Sequence, residues 1–393
     1  MKKLMLLLTA VLVVAIGCSE QAEQTTEMPA HLQPYADYVR EQGEPPTEYI
    51  ASKFETHDVV WLGESHRIKH DPLLIQELVP VVYKQGVRGL ATEFARKEDQ
   101  PLIDSLLRME EYDESLAKEV TFRQFVHWRY QEYVDIYKAI WEFNRSLPDT
   151  AEPFWVYGLN CSPDWSLVET AEDRSNREVM LEVWGGCGEE DWAEVILEQV
   201  EQGDKLLAYS GIHHAFTKYL QPRVKPEGDS VEFVEFVQDR AARFVYEAIG
   251  DRVMTVFLHA PWYGPGGYED WPYPPAAGKV DSVMGLLGAE HYPVGFDVDT
   301  GPFSELRVPH TLYAKGYEDF TLGQYCDGYI FQRPFAEYEA VTPIADFINE
   351  KNLDHARRQT VNPRYRDFTV EESYEDAITD LRKQQEHWRR LYD

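Results

Sequence analysis

Seven short apolar runs punctuate this chain, and they limit what it can fold into more than any other feature. They fall at residues 59–62, 87–92, 154–159, 205–210, 252–258, 293–298 and 328–331. Several are continuous apolar stretches, which suits strands covered on both faces. Longer amphipathic stretches such as "LLIQELVPVVYKQ" and "FVQDRAARFVYEAIG" separate them. The alternation predicts a three-layer α/β/α domain with a mostly parallel central sheet. Asp71-Pro72 reads as an N-cap followed by proline at the first helical position, with Pro80 as a kink and Gly86 as the stop. "FRQFVHWRYQEYVDIYKAIWEFNRSL" reads as a further helical region.

The two ends of the chain do not follow this rhythm. "MKKLMLLLTAVLVVAIGCSE" has two lysines, then an apolar run too short to span a membrane, then Gly17-Cys18. Residues 1–17 are expected to be a signal peptide. Ala15-Ile16-Gly17-Cys18 reads as a bacterial lipobox with Cys18 as the lipidated residue; the alternative is an ordinary secretory signal. Residues 18–45 are expected to be a flexible acidic tether, 46–335 the α/β domain and 336–393 a packed helical extension. The protein is thus expected outside the cytoplasm, held by lipid to a bacterial membrane, at the outer membrane or the cell surface. An oxidising compartment permits one disulfide among Cys161, Cys187 and Cys326.

A chain of 393 residues can bury a substantial core. Its 69 acidic and 38 basic residues give a formal net charge of -31, which opposes nucleic acid and anionic membrane surfaces as partners. A small molecule or a peptide fits better. Residues 260–278, "APWYGPGGYEDWPYPPAAG", can be neither helix nor central strand, and read as a lid, a substrate-contacting loop or a self-packed surface loop.

Open α/β sheets bind ligands beyond the C-terminal ends of their strands. The residues that follow the runs are therefore the ones to inspect. The first gives Gly63-Glu64-Ser65-His66, with Arg67 and His70 just beyond; the second gives Glu93; the third Asn160; the fourth Gly211-Ile212-His213-His214; the fifth His259 and then Trp262. Glycine before each histidine is expected to let the backbone turn sharply out of the strand. His66, Glu93 and His214 make an N/O donor set for a divalent metal (Mn, Co, Zn or Fe), with Glu64 as a further ligand or base. Without metal, His66 serves as a general base backed by a carboxylate. His70 and His213 also read as a cap neighbour and a bystander. No G-x-S-x-G, H-E-x-x-H, Walker A or dinucleotide fingerprint is present.

"LGESHRIKHDPLLIQELV", "GLATEFARKEDQPLIDSLL", "YGLN" and "YSGIHHAF" resemble the ChaN, Tiki and erythromycin-esterase-like superfamily, above all its ChaN-like haem-binding lipoproteins. Glu93 to Gln100, Trp128 to Tyr130 and "EDRSNREVM" carry the same likeness, which covers roughly residues 55–220. The resemblance implies an α/β fold and either metal-dependent hydrolysis of peptide or ester bonds or haem binding in iron uptake. A single residue between Glu64 and His66, where the esterases have two, argues against a macrolide substrate. The expected catalytic set is Glu64, His66, Glu93 and His214, with Arg67, His70, Asn160, His259 and Trp262 contacting substrate.

Overall fold

A computed structural model describes residues 28–185, 188–228, 230–360 and 367–392. Among the described residues nine strands are formed: β1 Val59–Glu64, β2 Val87–Arg96, β3 Trp155–Asn160, β4 Lys205–Gly211, β5 Gln221–Glu227, β6 Ser230–Val237, β7 Val253–Leu258, β8 Val294–Asp297 and β9 Gly328–Phe331. Seven of them make one sheet in the order β3-β2-β4-β1-β7-β9-β8. All its pairings are parallel except β8 with β9. These seven strands are the seven apolar runs. All six residues of β1 are buried. Alternate side chains enter opposite layers, as a strand's period of two requires. Val59 and Trp61 join one core and Val60 and Leu62 the other. Helices cover both faces, which makes the fold three-layered α/β/α.

Chain order places β1 in the middle. The path runs outward from it to β2 and β3, returns through β4 on one side and crosses to β7 on the other. The crevice beyond β1 and β4 is therefore where a ligand site is expected.

Four expectations change. Residues 33–42, expected as part of a flexible tether, form a helix, Gln33–Gln42, that buries Ala36 and Val39. Leu32, Ala36 and Val39 recur at helical spacing and dock on the main core. The cap of the helix after β1 is Lys69, because the helix begins at His70 and buries Asp71 in its first turn. The helical region expected over residues 122–147 is not continuous: it takes in the end of one helix, Glu114–Gln124, a tight turn at Val126–Trp128 and a second helix, Gln131–Ser146. The strands β5 and β6 form a separate antiparallel hairpin that the apolar runs do not signal.

Cys161 is disulfide-bonded and Cys326 is a buried free thiol. The signal peptide, Cys18 and Cys187 lie outside the described residues. Among the described residues no helix is long and apolar enough to cross a membrane.

Candidate active site

The site is built on the ends of β1, β2 and β4. β1 carries Glu64 at its last position, and the chain leaves through Ser65, His66 and Arg67. Gly63 is still inside the strand, so it does not make the expected sharp turn. Its role is close approach: a Cβ there would lie 2.3 Å from Ile212 Cδ1 and 2.9 Å from the Ile212 Cα. Gly211 plays the matching part at the end of β4. A Cβ on it would stand 2.8 Å from His66 Cε1 and 3.0 Å from Nε2. The sharp turn belongs to Arg67, at φ 75°. L-residues pay a steric cost there, and the surroundings hold the backbone in place. The Arg67 N–H donates to the Tyr133 hydroxyl at 3.0 Å. Its carbonyl accepts from the Val341 N–H at 3.1 Å.

Glu64 is 1% exposed. Its Oε1 lies 2.7 Å from His66 Nδ1 and accepts from the Tyr133 hydroxyl at 2.6 Å, while Oε2 accepts from the Tyr209 hydroxyl. Burial, then the Glu64 charge, raises both phenols well above their ordinary value, so they remain donors. In the neutral tautomer that this pairing favours, His66 Nδ1 carries the proton and Nε2 is the free base. The Trp128 ring packs edge-on against the imidazole at 4.7 Å. Burial alone would lower the His66 pKa, but Glu93 and Glu64 together outweigh it and raise the group above its ordinary value. The side chain keeps 37% of its surface exposed, which screens the effect.

Glu93 ties the two glycine-histidine stretches together. Its Oε2 accepts from the Gly211 N–H at 2.7 Å. Its Oε1 lies 3.9 Å from His66 Nε2 and 4.0 Å from His214 Nε2. His214 has Glu189 Oε2 3.1 Å from its Nδ1. Burial lowers this imidazole too, and Glu93 and Glu189 more than reverse that. His213 lies 3.1 Å from the Tyr313 hydroxyl and is pushed down to about 3 by burial and then Arg240.

A compact tetrahedral metal centre does not fit this geometry. Bonds of about 2.0–2.2 Å to one tetrahedral ion put donors about 3.4 Å apart. The Nε2 to Oε1 separations are wider, and the second Glu93 oxygen is committed to Gly211. Among the described residues no group of three or more His, Cys, Asp or Glu is arranged to hold a metal ion.

His66 stands between two spaces. On one side is a small cavity of about 120 Å³ that also touches Glu64, Gly211, His213, His214 and Trp262. On the other is a cavity of about 950 Å³ that borders Arg67, Trp128, Arg174 and Trp271. The aromatic 260–278 loop supplies Trp262, Tyr263, Tyr268 and Trp271 to these walls. It doubles back through a bridge between Trp262 and Tyr273.

Three expected substrate contacts lie elsewhere. His70 is packed against Tyr338 at 4.7 Å and does not border the large cavity. Its helix turns this position toward the core instead of the crevice. Asn160 ends β3 at the sheet edge and accepts from the Cys161 N–H through Oδ1 at 3.0 Å. His259 is held by the Tyr329 hydroxyl at 2.6 Å and Asp281 at 3.0 Å, between the rings of Phe331 and Phe335. Glu189, Tyr133, Tyr209 and the place of the helix Val370–Arg389 in the cavity wall were not foreseen. That helix lends Lys383, Gln384 and His387 to the large cavity.

No protein-family model matches the chain, and no curated protein matches it in sequence. Solved structures resemble it in fold. A Bacillus cereus protein of known structure superposes with a TM-score of 0.50 at 11% identity, over 80% of this chain and 100% of that one. At that identity the match shows a shared fold. The similar structures include ChaN of Campylobacter jejuni, described with cofacial haem, with a TM-score of 0.34 and 13% identity over 57% of this chain and 89% of that one. A succinoglycan biosynthesis protein has a TM-score of 0.38 and 10% identity over 60% and 77%.

Proposed function

We propose that the protein is a hydrolase of ester or amide bonds in which His66 is the general base. The observation that carries this reading is the Glu64–His66 pair: a buried, triply held carboxylate fixes Nδ1, and Nε2 faces Glu93 where the two cavities meet. His66 Nε2 takes a proton from water, and the water oxygen bonds to the substrate carbonyl carbon. His214, held protonated to higher pH by its carboxylates, offers Nε2–H to the oxyanion. Collapse breaks the bond to the leaving group, which takes the proton back from His66. Glu93 orients both rings and is a positioning residue. No step needs a metal, in contrast with the metal-dependent form of this reading.

The test is a screen of nitrophenyl esters and short peptides with and without chelator. His66→Ala should lose about 10²–10⁴-fold in kcat/KM, and chelator should leave the rate unchanged. Equal rates for wild type and variant would sink the assignment. Loss of activity in chelator, restored by one divalent ion, would return the site to metal chemistry.

A second reading is a haem carrier. Its support is the size of the large cavity and its aromatic wall, with Tyr263, Tyr268, His127 and His387 as the iron-ligating types on that wall. Haem titration that produces no Soret shift would remove it.

We also infer an extracytoplasmic setting with a lipid anchor at Cys18. The basic-apolar-cysteine start of the chain and the disulfide at Cys161 support it. Mass measurement of the membrane-extracted protein decides it: an unmodified Cys18 would refute the anchor.

A further inference from the structure

Arginine is scarce beside acid in this chain, yet three arginines gather at one place without a carboxylate partner. The large cavity meets a smaller one of about 100 Å³ at Arg67, His127 and Asp380. Arg174 borders the first and Arg129 the second. Arg67 lies over the Tyr130 ring at 5.8 Å, and Arg174 over Trp165 at 5.2 Å while Nε donates to the Gln359 carbonyl. Arg129 donates to the carbonyl and hydroxyl of Ser373. Among the described residues none of the three forms an ion pair. Elsewhere arginines such as Arg96, Arg240 and Arg252 each reach a carboxylate. The acidic groups at the junction are Asp376 and Asp380 of the helix Val370–Arg389. They face Arg67, Arg129, Arg174 and Lys383, so positive charge is in excess there. The local field registers on His127: burial and then Arg67, Arg129 and Arg174 push it down to about 3.

Arg67, Arg129 and Arg174 are each half-buried, so their excess charge has lost part of its hydration, and an anion would restore it. Guanidinium is also the side chain best shaped for planar or tetrahedral oxyanions. The adjoining wall is Phe125, Trp128 and Trp184, which suits a flat apolar body. We propose that Arg67, Arg129 and Arg174 bind the anionic group (carboxylate, sulfonate or phosphate) of a substrate whose apolar body lies along these rings. The inference rests on the hydrolase reading for the word substrate, and on the cavity alone for the anion. Arg67 directly follows His66, so the anion would sit one residue from the base and fix the register of the scissile bond.

Two fluorescent probes share an aromatic body and differ in charge: anilinonaphthalene sulfonate and the neutral phenylnaphthylamine. The net charge of -31 disfavours the sulfonate at a non-specific surface. The sulfonate should nevertheless bind at least about tenfold more tightly, and added salt should weaken it alone. Arg174→Gln and, separately, Arg67→Gln should each cost about tenfold for the sulfonate and leave the neutral probe unchanged. The unchanged neutral probe also reports that each variant is folded. Equal affinities for the two probes, or losses shared by both, would overturn the proposal. Hydrolysis assayed on the same wild-type protein keeps the two readings apart. Discrimination without any hydrolysis by the wild type removes the hydrolase and keeps the anion site. Hydrolysis without discrimination does the reverse.

Discussion

Glu64 spends its acceptor capacity on one imidazole and two phenols, so its direction is fixed as well as its place. That makes Glu64→Gln informative. The amide lacks the charge that helps to raise His66, so the acid limb of the rate profile should move to lower pH while the maximal rate falls. An unmoved limb would mean that Glu64 does not tune the base. Gly211 gives a steric counterpart. In Gly211→Ala the new methyl meets the working edge of His66, and kcat/KM should drop at least about tenfold with a stability loss of about 1–3 kcal/mol. Wild-type kinetics would show that the ring has freedom the packing denies. His66, Glu93 and His214 were legible as strand-end residues. The purpose of the glycines was not, because a sequence does not say which neighbour comes within van der Waals distance. For the same reason Tyr133 and Tyr209 were hidden among 24 tyrosines.

Strands buried on both faces are continuous apolar runs, which is why all seven sheet strands could be read. β5 and β6 could not, since Pro222 and Pro226 disguise the first of them. A two-stranded ribbon tolerates proline on its free edge, where no ladder donor is needed. The helix Val370–Arg389 was readable as a helix, but not as a wall. Its apolar positions include Ala377, Leu381 and Trp388, while Lys383, Gln384 and His387 face the cavity. Nothing in its own periodicity names the surface it covers. Leu381→Ala should cost about 2–5 kcal/mol in chemical denaturation and weaken both fluorescent probes together. Unchanged stability would mean that the helix docks through other contacts.

Acid should unfold this protein earlier than its carboxylates alone require. His70 is 5% exposed, and burial followed by Arg333 and His259 holds its pKa well below the ordinary value. His127 and His213 are both pushed down to about 3. A base depressed in the folded state favours the unfolded chain once pH falls below about 6.5, by up to about 1.4 kcal/mol per pH unit for each group. His127 and His213 are partly exposed and contribute less. His66 and His214 are shifted the other way, so their stabilising share is full below that pH and adds no slope there. Asp71, raised well above its ordinary value by burial and then Glu64, opposes one such slope; the melting temperature should still fall from pH 6 toward 4, and His70→Phe should flatten the fall. Parallel curves would refute the role of His70. The cavity wall has a consequence in time. Gln384 donates to the His66 carbonyl from 318 positions further along the chain. A nascent chain emerging from the ribosome thus holds the whole Glu64, His66, Glu93, His214 group long before the helix that encloses it exists.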